Sequence, residues 1–249
     1  MRFLFTSAVR LAFVVTAVIL SAVLCSAEAF AGAKILQLGP GEGGRALLFT
    51  PERGQPKGGI VLLPGSDGVL ALSENGEIRK LKANLLVRTR EDFARAGFVT
   101  ILPDANVSVA AAVAELRKLA VGPVAIVATS RGTLRAAQAL RDGVRADALV
   151  LSAAMLAPDA RRPSVPALLG APAVLPRTLV IHHRLDQCRV TPPSAVEPFV
   201  VWSAGRARAT WIEGGVDKGG SCQARGHHGF AGRDAEVVRV IAGFLAAQK

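Results

Sequence analysis

The stretch from Val121 to Leu140 constrains this chain more than any other. Val124-Ala125-Ile126-Val127 is an unbroken apolar run, the pattern of a strand covered on both faces. Thr129-Ser130-Arg131-Gly132 follows at once, and Leu134, Ala137 and Leu140 then recur at helical spacing. A strand that feeds a helix through so short a turn leaves Ser130 at the end of the sheet. Ala128-Thr129-Ser130-Arg131-Gly132 departs from G-x-S-x-G at one position, where Ala128 is the smallest possible change. The strain of such a turn lifts the serine hydroxyl clear of the sheet and aims the next backbone N–H at the same point.

The flanking pattern extends this unit into a fold. Lys34–Leu38 and Arg45–Phe49 read as an opening hairpin across a Gly/Pro turn. Gly59–Leu63, Phe98–Leu102, Ala146–Ser152, Arg177–His182 and Ala209–Glu213 read as further strands. Helices are expected over Arg90–Ala96 with Thr89 as N-cap, from Ser108 to Leu119, after Ser130, and over Asp234–Ala247. Val69–Val87 has mixed character with a turn at Asn75-Gly76, Ala157–Pro176 reads as a surface loop or small cap, and a long polar loop follows His182. Strands alternating with helices from residue 59 onward predict an α/β fold, a mostly parallel central sheet of about eight strands with helices on both faces. No repeat and no dividing linker interrupts residues 30–249, so one domain is expected there.

The N-terminus reads differently. Arg2 and Arg10 precede the apolar run Leu11–Leu24, and Ala27-Glu28-Ala29 supplies an A-x-A site. That is the layout of a secretory signal peptide over residues 1–29, with cleavage after Ala29 or Ala31 and a retained membrane anchor as the alternative. Lipid modification at Cys25 is disfavoured by the bulk of Leu24. Export predicts a periplasmic or secreted protein with no stable membrane insertion after cleavage. Losing Arg2, Arg10 and Glu28 takes the formal charge from +11 to about +10. The cations are scattered and the chain has no Tyr, so no basic, aromatic-interleaved surface for nucleic acid is expected. Two cysteines then remain, Cys188 and Cys222, an even pair that suggests one disulfide in an exported chain, against two buried free thiols.

A serine hydroxyl needs a base to take its proton. The four histidines come as His182-His183 and His227-His228, the second pair between glycines after the last strand. Asp186 follows an earlier strand, so Ser130, Asp186 and His228 occur in the chain order of the α/β-hydrolase triad. With Leu63-Pro64-Gly65-Ser66-Asp67-Gly68 after an early strand, Thr191-Pro192-Pro193 beyond Asp186, and His228-Gly229-Phe230, the sequence resembles the α/β-hydrolase superfamily over roughly residues 34–247. Within it the dienelactone-hydrolase-like group of small carboxylic-ester hydrolases is the nearest pattern. The departures are Ala128 and the lack of an intact His-Gly dipeptide in the early loop, which leaves the second oxyanion donor open.

The resemblance implies that Ser130 attacks an acyl carbon, His228 is base and then acid, and Asp186 orients the imidazole. The Arg131 N–H, with one from Gly65 or Ser66, would hold the oxyanion. His227 is the alternative base, and Ser130 as a plain helix N-cap is the alternative to a nucleophile. A metal site from the paired histidines is disfavoured because adjacent imidazoles do not readily share one ion; no cofactor or metal is expected. Asp67 reads equally as a turn residue or a substrate contact. A Cys188–Cys222 bridge would tie the acid loop to the histidine loop. The expected activity is an exported serine hydrolase acting on an ester, lactone or similar acyl bond of a small molecule. A peptidase on the same fold is the alternative, as is a non-catalytic binder in which Arg131, Arg88 or Arg184 grips an anion.

Overall fold

The computed structural model describes residues 33–157 and 163–247. The expected signal segment and its cleavage sites lie outside them. The opening hairpin is present: β1 (Lys34–Gln37) pairs antiparallel with β2 (Arg45–Phe49), Lys34 opposite Leu48. The strands β3 (Gly59–Leu63), β4 (Val99–Pro103), β5 (Val124–Thr129), β6 (Ala148–Ser152), β7 (Arg177–His183) and β8 (Ala207–Ile212) run parallel to one another. The sheet order is β1-β2-β4-β3-β5-β6-β7-β8, with β2 joining β4 antiparallel. The mostly parallel eight-stranded sheet is therefore as expected.

Helices cover both faces. On one side α3 (Val109–Leu119), α4 (Gly132–Arg141), α5 (Val165–Leu169) and α6 (Val196–Trp202) pack against alternate strand residues such as Val61, Ile101, Ile126 and Leu149. On the other, α1 (Leu85–Arg88), α2 (Arg90–Arg95) and α7 (Asp234–Ala246) cover Ile60, Leu62, Val127 and Val150. Neighbouring residues of β3 and β5 thus belong to opposite cores, which is why those strands read as continuous apolar runs. No helix of the described residues is long and apolar enough to cross a membrane.

Three helices escaped the sequence pattern. At four, five and seven residues, α1, α5 and α6 are too short to display a helical period. The described part of 157–176 is not a cap over the site: α5 is pinned to the core by Val165 and Leu169 and is N-capped by Ser164. Ser108 does cap α3, its Oγ accepting from the Ala111 N–H at 3.0 Å. Thr89 does not cap α2; its hydroxyl donates back to the Leu85 carbonyl at 2.7 Å, and the capping side chain is Asn84, one helix earlier.

One buried carboxyl group organises the loop between β3 and α1. Asp104, directly after β4, accepts from the N–H groups of Leu70 (2.8 Å), Ala105 (2.8 Å) and Leu72 (3.0 Å). Leu70 and Leu72 are themselves buried, so their amides have no water to fall back on. Asp104→Ala strands these donors at about 1–3 kcal/mol each. We expect a loss of roughly 3 kcal/mol or more, read as a lowered urea midpoint.

Candidate active site

The turn at Ser130 is fixed from three sides. Its φ is 50°, left-handed for a residue with a side chain. The Ser130 N–H donates to the Ser152 carbonyl at 3.0 Å, extending the β5–β6 ladder, and the Ser130 carbonyl accepts from the Thr133 N–H and hydroxyl at 3.0 and 2.6 Å. At Gly132 a Cβ would fall 2.3 Å from the Leu63 carbonyl oxygen and 2.5 Å from that of Pro64, so only glycine lets α4 start this close to β3. Ala128 lies one turn of pleat earlier, buried between Leu63 of β3 and Leu151 of β6. Its methyl packs in the core, so the first position of the pattern has no need of glycine here. Ser130 does not cap α4: Arg131 stands at the N-cap position.

The Ser130 hydroxyl instead meets His228. Its Oγ lies 3.0 Å from His228 Nε2, and His228 Nδ1 lies 3.0 Å from Asp186 Oδ2. Asp186 and His228 are both buried. The Asp186 carboxyl is well supplied with donors: the Cys188 N–H reaches Oδ1 at 2.9 Å and the Thr191 hydroxyl reaches Oδ2 at 3.1 Å. Burial alone would raise the Asp186 pKa. The nearby His182 and His228 rings, the His228 charge and the Cys188 N–H outweigh it, holding the carboxyl well below the usual carboxylate range. His182 is fully buried with Nε2 3.3 Å from Asp186 Oδ2, near enough to act on its charge. The approach is too poorly aligned for a hydrogen bond, and neither ring nitrogen has a hydrogen-bond partner among the described residues.

His227 points elsewhere. It stacks on His183, ring centroids 4.4 Å apart, while His183 Nδ1 accepts from the Leu185 N–H and Nε2 donates to the Gly214 carbonyl. Burial, chiefly, lowers the His183 pKa, in keeping with a neutral ring whose two nitrogens are both used. Of the two candidate bases, His228 is the one brought to Ser130.

Two braces hold the histidine loop. Cys188 and Cys222 form a disulfide that ties it to the acid loop. Arg88 spans the other side, with 2.8 and 2.6 Å bonds to the Asp234 carboxylate, 2.7 Å to the Gly229 carbonyl and 2.5 Å to the Ala83 carbonyl. Arg88 is thus structural rather than an anion clamp. Arg184 is engaged too, bonded to Glu213 at 2.5 Å and lying over the Trp211 ring. Asp67 accepts from the Val69 N–H at 3.0 Å, which is the turn role.

Ser130 and His228 open onto a cavity of about 190 Å³ whose wall includes Gly65, Ser66, Leu81, Asn84 and Cys222. Residues 163–176 contribute nothing to it. Larger hollows of about 610 and 750 Å³ lie around Arg45–Asp104 and Phe49–Val87, away from this serine. Gly65 sits against the Ser130 turn, where a Cβ would be 2.9 Å from Ser130 Cβ. The N–H groups of Gly65, Ser66 and Arg131 donate to no acceptor among the described residues. Asn84 is not singled out in the sequence, and Arg88 and Thr191 are noted there without the roles they have here. Thr191 stood in a quoted motif, but nothing local reveals that its hydroxyl lies 3.1 Å from His228 Nδ1 as well as from Asp186.

Solved structures place this architecture. The chain is similar to the esterase domain of a Rhodothermus marinus protein (13% identity, TM-score 0.60, 87% of this chain and 98% of that one). It is also similar to an α/β serine hydrolase homologue from Coxiella burnetii (16%, 0.56, 87% and 98%). A third match is an α/β serine hydrolase without a lid from Xanthomonas campestris (14%, 0.54, 88% and 94%). No protein-family model matches the sequence, and no curated protein matches it. Likeness at such identities speaks to fold, and the fold is that of the α/β-hydrolases.

The disulfide closes a loop of sequence separation 34. Replacing both Cys188 and Cys222 by Ser is expected to cost about 3–4 kcal/mol on the chain-entropy model, measured by denaturant unfolding of protein lacking Cys25. Alkylation without reductant should add no mass to the protein that lacks Cys25 and keeps Cys188 and Cys222; two additions would refute the bridge.

Proposed function

We propose that this protein is a serine hydrolase that cleaves a small carboxylic ester or lactone through Ser130, His228 and Asp186. The observation that carries the reading is the continuous contact Ser130 Oγ–His228 Nε2, His228 Nδ1–Asp186 Oδ2, each 3.0 Å, opening onto a cavity. His228 Nε2 takes the Ser130 proton as Oγ bonds to the carbonyl carbon. The C=O electrons move onto oxygen, and the amides of Arg131 and of Gly65 or Ser66 stabilise that charge. Collapse breaks the bond to the alkoxy group, which leaves with the proton from His228. Water then repeats the sequence on the acyl-enzyme and restores Ser130. Asp186, ionised and buried, keeps Nδ1–H in place and stabilises the imidazolium.

The cavity is below the range of drug-sized sites, which supports a short acyl group over a peptide. Esterase and serine-hydrolase relatives of the fold point the same way. Residues 30–249 form the enzyme in this reading, and residues 1–29 direct its export to the periplasm or medium, a location in which the Cys188–Cys222 bridge is at home.

A fluorophosphonate is expected to label the wild type and not Ser130→Ala, and Ser130→Ala should lose at least about 10⁴-fold in ester turnover. Across p-nitrophenyl acetate, butyrate and octanoate, kcat/KM should fall at the longest chain. Equal labelling of both proteins would end the Ser130 assignment.

A further inference from the structure

Asn84 holds an unused donor at the mouth of the nucleophile turn. Its Oδ1 accepts from the Leu86 N–H at 3.1 Å, capping α1. An N–H can only be met by the amide oxygen, so the orientation of the carboxamide is fixed by chemistry and the NH₂ is what remains. That NH₂ makes no hydrogen bond among the described residues, and Asn84 lines the cavity shared by Ser130 and His228. The space between it and the nucleophile is open because residue 65 is glycine. A Cβ there would lie 3.5 Å from Asn84 Nδ2 and 2.9 Å from Ser130 Cβ, so both groups border one gap.

The backbone around Asn84 is held for this purpose. Leu81, also in the cavity wall, has φ 58°, and the Asn84 N–H closes a tight turn onto the Leu81 carbonyl at 2.8 Å. A bulky residue in the left-handed region persists only where its surroundings enforce it. Arg88 then couples this turn to the histidine loop, binding the Ala83 carbonyl and the Gly229 carbonyl with one guanidinium. The residue before Asn84 and the residue after His228 are thereby fixed to one another.

We propose that Asn84 Nδ2 donates a hydrogen bond to the substrate carbonyl oxygen as it becomes an oxyanion. It would act beside the Arg131 and Gly65 or Ser66 amides and supply what the early loop, lacking a His-Gly dipeptide, does not. This rests on the Ser130 hydrolase reading. The test uses Asn84→Ser and Asn84→Asp, both of which keep an acceptor for the Leu86 N–H and so preserve the cap. With p-nitrophenyl acetate, kcat is expected to fall about 100-fold in Asn84→Ser and further in Asn84→Asp, where a negative charge faces the oxyanion. KM should stay within about threefold and melting temperature should be unchanged. Affinity for a trifluoromethyl ketone, which mimics the tetrahedral adduct, should fall in parallel with kcat/KM. Wild-type kcat in both variants, or a fall that tracks a lowered melting temperature, would overturn the role of Asn84 alone. Absence of Ser130-dependent turnover in the wild type would overturn the hydrolase reading and the role of Asn84 with it.

Discussion

Everything in this molecule is referred to the close approach of β3 and the start of α4. The Leu63 and Pro64 carbonyls stand so near Gly132 that no side chain fits, and the chain leaves β5 for α4 through a left-handed residue. That residue is Ser130. A turn of this kind costs of order 1–3 kcal/mol and relaxes unless its surroundings over-determine it. Here the ladders on both sides of β5 do so, since β3 and β6 pair with it along its length and Ser152 receives the Ser130 N–H. The parallel sheet is thus the device that keeps one hydroxyl raised from its edge.

Rigid strands can aim a serine, but Asp186 sits in a loop beyond β7 and His228 in a single 3-10 turn beyond β8, where no ladder helps. The structure answers with cross-links of different kinds. A disulfide joins Cys188, whose N–H already holds Asp186, to Cys222 in the cavity wall. Arg88 gathers two loop carbonyls and the Asp234 carboxylate on the far side of the same loop. The buried charge of Asp186 acts as a third link, because its two oxygens accept from Cys188 and Thr191 in the chain that follows it and reach His228. Removing any donor leaves a carboxylate away from water with one partner fewer, a larger penalty than the loss of a surface pair.

The legibility of the sequence follows this division. All eight strands could be read because buried parallel strands carry local signatures, and the G-x-S-x-G-like turn, little obscured by Ala128, drew attention to Ser130, which the structure brings within 3.0 Å of His228. The cysteine pairing could be read because an even pair, in a chain expected to be exported, suggests one bridge, and Cys188 and Cys222 do form it. What stayed hidden depends on contacts between distant segments. Asn84 and Arg88 lie in a stretch whose four-residue helix has no period to detect, and Arg88 looked like a free cation. His228 could be preferred to His227 from the Gly229-Phe230 that follows it, but the stacking of His227 on His183 is a contact that no spacing rule encodes.

The excess of arginine shows the same limit from the side of composition. A formal charge of +11 invites thoughts of an anionic partner, yet many guanidiniums serve the fold itself. Arg177 and Arg208 both lie over the Phe244 ring, at 4.9 and 5.3 Å, fastening α7 to β7 and β8. Arg135 is drawn into the interior, where burial pulls its pKa down, the Asp104 charge opposes that shift, and its NH groups meet the carbonyls of Asp104 and Val107. A planar, weakly hydrated cation can stack on a ring or collect carbonyl oxygens without the desolvation cost an ammonium would meet. In a chain without tyrosine, arginine takes over part of the work of joining layers through polar and aromatic contacts at once.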